Sequence, residues 1–192
     1  LAFMGYGKAL KEWASAVKAL EAGSQIFIMR KGGIVEETRD FQVESNDFFL
    51  YPTYEHQRKE LLKEQYRGII DETLVNWSAQ DTHVTINSFA RMVEDIEVSD
   101  QEKLNQLLPF HIWTENFTEE RLKWKRKNPL HIMILRVYTL NQPIHIEIEQ
   151  AYIGCKSWIQ LQALVPDDSG MTPVLNEEEF TAQVAEIKRT LA

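Results

Sequence analysis

Between Gln25 and Gln57 the chain gathers most of the side chains that could do chemistry. A basic turn, Arg30-Lys31-Gly32-Gly33, is followed by the carboxylates Glu36, Glu37, Asp40 and Glu44, and then by the segment Pro52-Thr53-Tyr54-Glu55-His56-Gln57. Polar residues collected at element ends are where sites usually form. The carboxylates suit a divalent cation, with Lys31 near an attacked phosphate, which is the layout of a metal-dependent phosphodiesterase or nuclease. An Asp…Glu-x-Lys pattern is not cleanly met, since Thr38 stands two residues after Glu36 and Asn46 two after Glu44. The competing reading is a solvated acidic loop. Thr53 and His56 suggest a second chemistry. A histidine at a helix start can act as acid, base or anion contact, because the first amides of a helix are unpaired. Here the competing reading is plain capping by Thr53.

A third candidate is the basic run Arg121–Lys127, RLKWKRK. Lys123 and Lys125 can meet phosphates while Trp124 stacks a base. Basic residues at a helix C-terminus are also what the helix dipole favours. Arg136 and Tyr138 alternate onto one face of an apolar strand. A buried arginine there needs a carboxylate, which one of the loop glutamates would supply. The histidines at 56, 83, 111, 131 and 145 show no zinc spacing, so no metal ligand set is assigned. No phosphate-binding loop, dinucleotide fingerprint or serine-hydrolase elbow occurs, and no cofactor is named. The single cysteine, Cys155, reads as a small buried residue without a neighbouring base.

The composition narrows the classes. The chain has 192 residues and can bury roughly 70% of its unfolded surface, so it needs no disulfide or metal staple. A net charge of -8 opposes broad binding to nucleic acid or anionic membrane, although a local basic groove stays compatible with it. No apolar run approaches the roughly eighteen residues of a membrane span, and the start lacks the regions of a signal peptide, so a cytoplasmic location is expected.

The elements that must position these residues follow from periodicity. Leu10, Trp13, Ala14, Val17 and Leu20 make one stripe and predict a helix over 6–22, with Gly23 as its C-terminal glycine. Residues 25–30 predict a strand, central in a sheet because it is apolar on both faces. Strand segments at 41–44 and 48–51 precede a helix over 54–66 and a short helix over 68–77. Residues 82–86 read as a strand, while 89–98 fit either a strand or a helix. Ser99 and Glu102 suggest a capping box, and Thr118 a second cap. Leu130–Tyr138 is the strongest strand, turned at Asn141-Gln142-Pro143 into a half-exposed strand over 144–149. A last strand over 157–165 leads to a loop over 166–175, and Asn176 caps a helix over 176–192, expected to dock. The fold class expected is α+β, a single mixed or largely antiparallel sheet with flanking helices and a C-terminal helix, with 1–165 as one domain.

Five pieces, EWASAVKALEAG, RKGGIVEE, FFLYPTYEHQ, LHIMILRVYTL and YIGCKSW, carry a resemblance across about residues 8 to 165. In that order and spacing the chain resembles a bacterial family classed as a domain of unknown function, number 1802. The resemblance implies no activity. It implies that Arg30, Lys31, Gly32, Gly33, Glu36, Pro52, Thr53, His56 and Gln57 belong to the family's pattern, with Arg136 and Tyr138 on its strand. The leading functional expectation is a nucleic-acid-associated domain binding through Arg30, Lys31, His56 and residues 121–127. The alternatives are a metal-dependent phosphodiesterase and a protein-interaction or self-associating scaffold without catalysis.

Overall fold

A computed structural model describes residues 2–31, 43, 45–124, 128–166 and 168–192. The fold is α+β: a mixed, open sheet of seven strands with five α-helices. The elements, in chain order, are β1 (Ala2–Trp13), α1 (Ala14–Glu21), β2 (Phe27–Arg30), β3 (Asp47–Thr53), α2 (Arg67–Leu74), β4 (His83–Val98), α3 (Gln101–Gln106), α4 (Glu115–Lys123), β5 (Leu130–Glu147), β6 (Trp158–Pro166), β7 (Met171–Pro173) and α5 (Glu177–Leu191). The strand order is β2-β5-β4-β3-β1-β6, and β7 joins the edge of β5. β1 and β3 run parallel, and every other pair is antiparallel.

Several expectations are corrected. The helix expected over 6–22 begins only at Ala14, because residues 2–10 pair with β6 and residues 9–13 with β3. The stripe residues Leu10 and Trp13 are buried all the same, Leu10 among Val17, Phe48 and Leu50 and Trp13 against Trp113 and Phe117. β2 is buried along its whole length yet ends the strand order, pairing with β5 alone among the described strands. Residues 89–98 belong to the same long strand as 83–86. Asn141-Gln142-Pro143 does not turn the chain. β5 runs through it, and the β4–β5 register shifts between Ile86 and Ser88, so Pro143, which has no N–H to donate, falls in the bulge. The helix over 54–66 is replaced by a turn and two short 3-10 turns, Lys59–Leu61 and Glu64–Tyr66. Asp100 and Thr114, rather than Ser99 and Thr118, cap α3 and α4. A short strand, β7, interrupts the expected 166–175 loop. The segment over 41–44 falls almost wholly outside the described residues.

Other local signals hold. Gly23 has φ +75° and follows the last turn of α1, where its N–H and that of Ser24 reach the carbonyls of Leu20 and Ala19. Asn176 accepts a hydrogen bond from the Glu179 amide at 2.7 Å, with three glutamates in the first turn of α5.

α5 lays Phe180, Ile187 and Leu191 into a core that also holds Trp13, Phe27, Leu62, Trp113 and Phe117. Trp113 and Phe117 stack with centroids 4.6 Å apart. Beside them His111 is 3% exposed, and its Nδ1 accepts from the Trp113 amide at 3.0 Å. Burial, with Lys63 nearby, pushes the His111 pKa down to about 3, against an ordinary 6.5. The folded protein therefore holds a neutral ring where the unfolded chain takes up a proton. That stabilisation is complete above pH 6.5 and is lost as pH falls from 6.5 toward 3. Between pH 6.5 and about 5 this group is expected to remove roughly 2 kcal/mol of unfolding free energy. Urea unfolding across that range checks it, and His111→Gln, which keeps an acceptor without the titration, should flatten the slope.

Candidate functional site

The parallel pairing of β1 with β3 and the antiparallel runs beside them bring four strand ends together. These are the last residues of β1, β3 and β5 and the first of β4. A cleft of about 750 Å³ opens there. Lys11 comes from β1, Tyr51 to Thr53 from β3, and Tyr54 to His56 from the turn that follows. α2 and the turn after it bring Thr73, Asn76 and Trp77, β4 brings His83 to Thr85, and β5 brings His145. Tyr152 to Cys155 close the cleft from the connection before β6.

Flat rings dominate the lining. Tyr54 and Trp77 stack with centroids 5.6 Å apart and an interplanar angle of 15°. His83 and His145 stack at 5.1 Å and 7°. Their contact follows from register. His145 lies opposite Thr85, so His83, two residues away on the same face, is its diagonal neighbour. Threonine hydroxyls fix both rings, with Thr82 2.8 Å from His83 Nδ1 and Thr85 2.9 Å from His145 Nδ1. Tyr51 meets Tyr152 edge-on at 6.1 Å.

The tyrosine rings of the cleft are held neutral, and Lys11 stands beside them. Burial, with Tyr54 adding to it, pushes the Tyr51 phenol up to about 12. Burial and the bond to Glu149 push Tyr152 up to about 12. Burial also raises Tyr54, helped by Glu21 and Asp81. Lys11 donates to the Gly154 carbonyl at 3.0 Å and stands 5.9 Å from the centre of the Tyr51 ring. Burial and Lys156 lower its pKa, with Cys155 acting the other way. Glu55 and Asp81 also line the cleft. Among the described residues no group of three or more His, Cys, Asp or Glu is placed to hold a metal ion. Such a surface can sandwich or stack planar rings while touching few phosphates.

The residues singled out from sequence are dispersed. Thr53 and His56 line the cleft. Thr53 caps no helix; its hydroxyl donates to the Glu12 carbonyl at 3.1 Å. Gln57 sits behind the cleft as a brace. Its Oε1 accepts from the Ser15 amide at 2.8 Å, supplying the cap that α1 lacks, and its Nε2 donates to Thr73 Oγ1 at 3.2 Å. Arg30 and Lys31 point inward. Arg30 donates to the Lys11 carbonyl at 2.6 Å and to Ser157 Oγ at 2.7 Å, and lies 3.5 Å from the buried Glu12 carboxylate. Lys31 is buried and donates to the Leu122 carbonyl at 2.6 Å. Arg136 pairs with Glu177 at 2.6 Å and donates to the Leu175 carbonyl at 3.1 Å, so α5 supplies it a carboxylate. Its guanidinium also lies over Phe180, at 4.9 Å, and near Tyr138, at 5.9 Å. Lys123 pairs with Glu119 on exposed α4, and Trp124 is exposed just beyond it; neither lines the cleft. Gly32, Gly33, Glu36, Glu37, Asp40, Glu44 and Lys125 lie outside the described residues. Cys155 is exposed, contrary to the buried reading.

Sequence reasoning missed Tyr51, Tyr54, Trp77, His83, His145 and Tyr152 as a group. A faint signal existed in the alternation that puts His83 with Thr85 and His145 with Glu147 on single strand faces.

A family model described as "Domain of unknown function (DUF1802)" matches residues 9–186. The chain belongs to this family. In this DUF1802 chain the PTYEHQ segment serves two ends, since Gln57 braces α1 while Tyr54 and His56 line the cleft. No curated protein matches the chain. A solved structure that does match is a mutant of the ZmASCH protein from Zymomonas mobilis. It shares 13% identity over 93% of this chain and 94% of that one, at a TM-score of 0.45. No described helix is long and apolar enough to cross a membrane.

Proposed function

We propose that this DUF1802 protein binds single-stranded nucleic acid, holding bases in the aromatic cleft. The observation that carries the reading is the cleft itself, about 750 Å³ and lined by the Tyr54–Trp77 and His83–His145 stacks with Tyr51 and Tyr152. Every base has a π-face, and stacking on aromatic side chains is worth about 1–3 kcal/mol per base without regard to sequence. Ile153, 55% exposed at the rim, adds an apolar contact. A duplex keeps its bases stacked on one another and presents phosphates, which a body of charge -8 repels. Unpaired bases suit this surface better.

The cleft's cation is Lys11, with Lys156 close enough to influence it. Binding is therefore expected to depend only shallowly on salt. The slope of log K against log salt should lie between about -0.7 and -1.4, the release expected for one or two phosphates of a single strand. Fluorescence anisotropy of a labelled oligonucleotide over a range of salt concentrations measures it. A slope steeper than about -3 would instead favour the basic run at the end of α4. No binding to single strands at low salt would defeat the proposal.

A further inference from the structure

We infer that a recess beside the cleft, built around Glu21, reads the donor edge of a guanine base; this rests on the nucleic-acid reading above. The recess has a volume of about 240 Å³. Pro52, Tyr54, Thr73, Asn76 and Thr85 line both it and the cleft, so the two communicate past the Tyr54 ring. A base entering beside Tyr54 presents its edge to Glu21, Asn76 and Asn87.

Glu21 is poorly explained by the fold. It is the last residue of α1, where the helix dipole disfavours a negative charge. Its Oε2 is buried, and the donor beside it is the fully buried Ser88 hydroxyl, which reaches no other partner among the described residues. Burial raises the Glu21 pKa, with Ser88 and Lys18 opposing the rise. One hydroxyl leaves most of a carboxylate's acceptor sites unfilled, and each further donor stabilises it. Among the described residues no hydrogen bond closes on the side chains of Asn76 or Asn87, which line the recess.

Ligand chemistry follows from the donor pattern. A carboxylate has acceptors only. The Watson–Crick edge of guanine offers two adjacent donors, the ring N1–H and the exocyclic amino group, both of which a carboxylate can accept. Adenine and cytosine place an acceptor beside their amino group, and thymine flanks one N–H with two carbonyls. Each of these sets a lone pair against the carboxylate. The Asn76 and Asn87 amides can donate to the guanine O6 and N7. Bidentate pairing of this kind discriminates between bases by about 1–3 kcal/mol.

The test uses short oligothymidylates carrying one central guanine, hypoxanthine, adenine or cytosine, bound to the whole protein and read by anisotropy. Guanine should bind about ten-fold or more tighter than adenine or cytosine. Hypoxanthine, which keeps N1–H and lacks the amino group, should fall between. Glu21→Gln keeps the shape of the side chain and should bring the guanine-to-adenine ratio close to one. It should also raise the unfolding temperature, because it removes a carboxylate that burial disfavours. Equal affinity for all four bases, or a guanine preference that survives in Glu21→Gln, overturns this inference and leaves the cleft reading standing. Failure of oligothymidylate itself to bind overturns both.

Discussion

Replacing Trp77 with alanine is expected to weaken single-strand binding by about 1–3 kcal/mol, roughly 5- to 150-fold. Trp77 is half-buried, stacks on Tyr54, and belongs to none of the buried core clusters. The variant should therefore fold, and the loss should appear in affinity while the unfolding midpoint stays close to that of the parent protein. Tyr54→Ala should have a similar effect, and the double variant should lose less than the sum, because the two rings form one platform. Trp124→Ala is the internal control. Trp124 is the exposed aromatic of the basic run and lies away from the cleft, so its removal should leave affinity unchanged. The reverse pattern, with Trp124→Ala weakening binding and Trp77→Ala silent, would move the interface to the end of α4.

Arg30→Ala is expected to act on stability instead. Arg30 and Glu12 are both buried, 3.5 Å apart, and Glu12 Oε2 also accepts from the Trp13 amide at 2.8 Å. Burial lowers the Arg30 pKa and Glu12 pulls it back up, so the guanidinium depends on that partner. Removing one member of a buried pair leaves the other uncompensated, at a cost of about 3–5 kcal/mol. Urea unfolding should show a loss of that size. The fraction that remains folded should bind single strands with unchanged affinity. A variant that folds with normal stability yet fails to bind would return Arg30 to the interface, where the sequence pattern placed it.

That contrast shows what a pattern of residue types can and cannot specify. The run Arg30-Lys31 looks like a phosphate contact because it is cationic and precedes paired glycines. Whether a cation faces solvent or a buried carbonyl depends on what packs over it. Here the partners come from Glu12, Lys11, Ser157 and Leu122, up to 127 residues away. Thr53 was legible as a residue that bonds a backbone group, but its partner is the Glu12 carbonyl across the β1–β3 pair and not a helix start of its own. The length of β1 was misread for the same reason. Leu10 and Trp13 fit a helical stripe with Val17, and only pairing with β3 and β6 puts those two in a strand.

By itself the sequence determined the local features, whose physics is complete within a few residues. These are the Asn176 cap with its glutamates, the positive φ of Gly23, the apolar strand from Leu130, and the α+β class that follows from helices at the chain end and strands between. Tertiary structure alone decided the candidate site. Its rings come from β3, β4, β5, the turns after β3 and α2, and the connection before β6, separated by tens of residues and joined by one parallel pairing and a bulged antiparallel one. Stacking needs a spacing and an angle between side chains, and those are set by register, which no single stretch of chain contains.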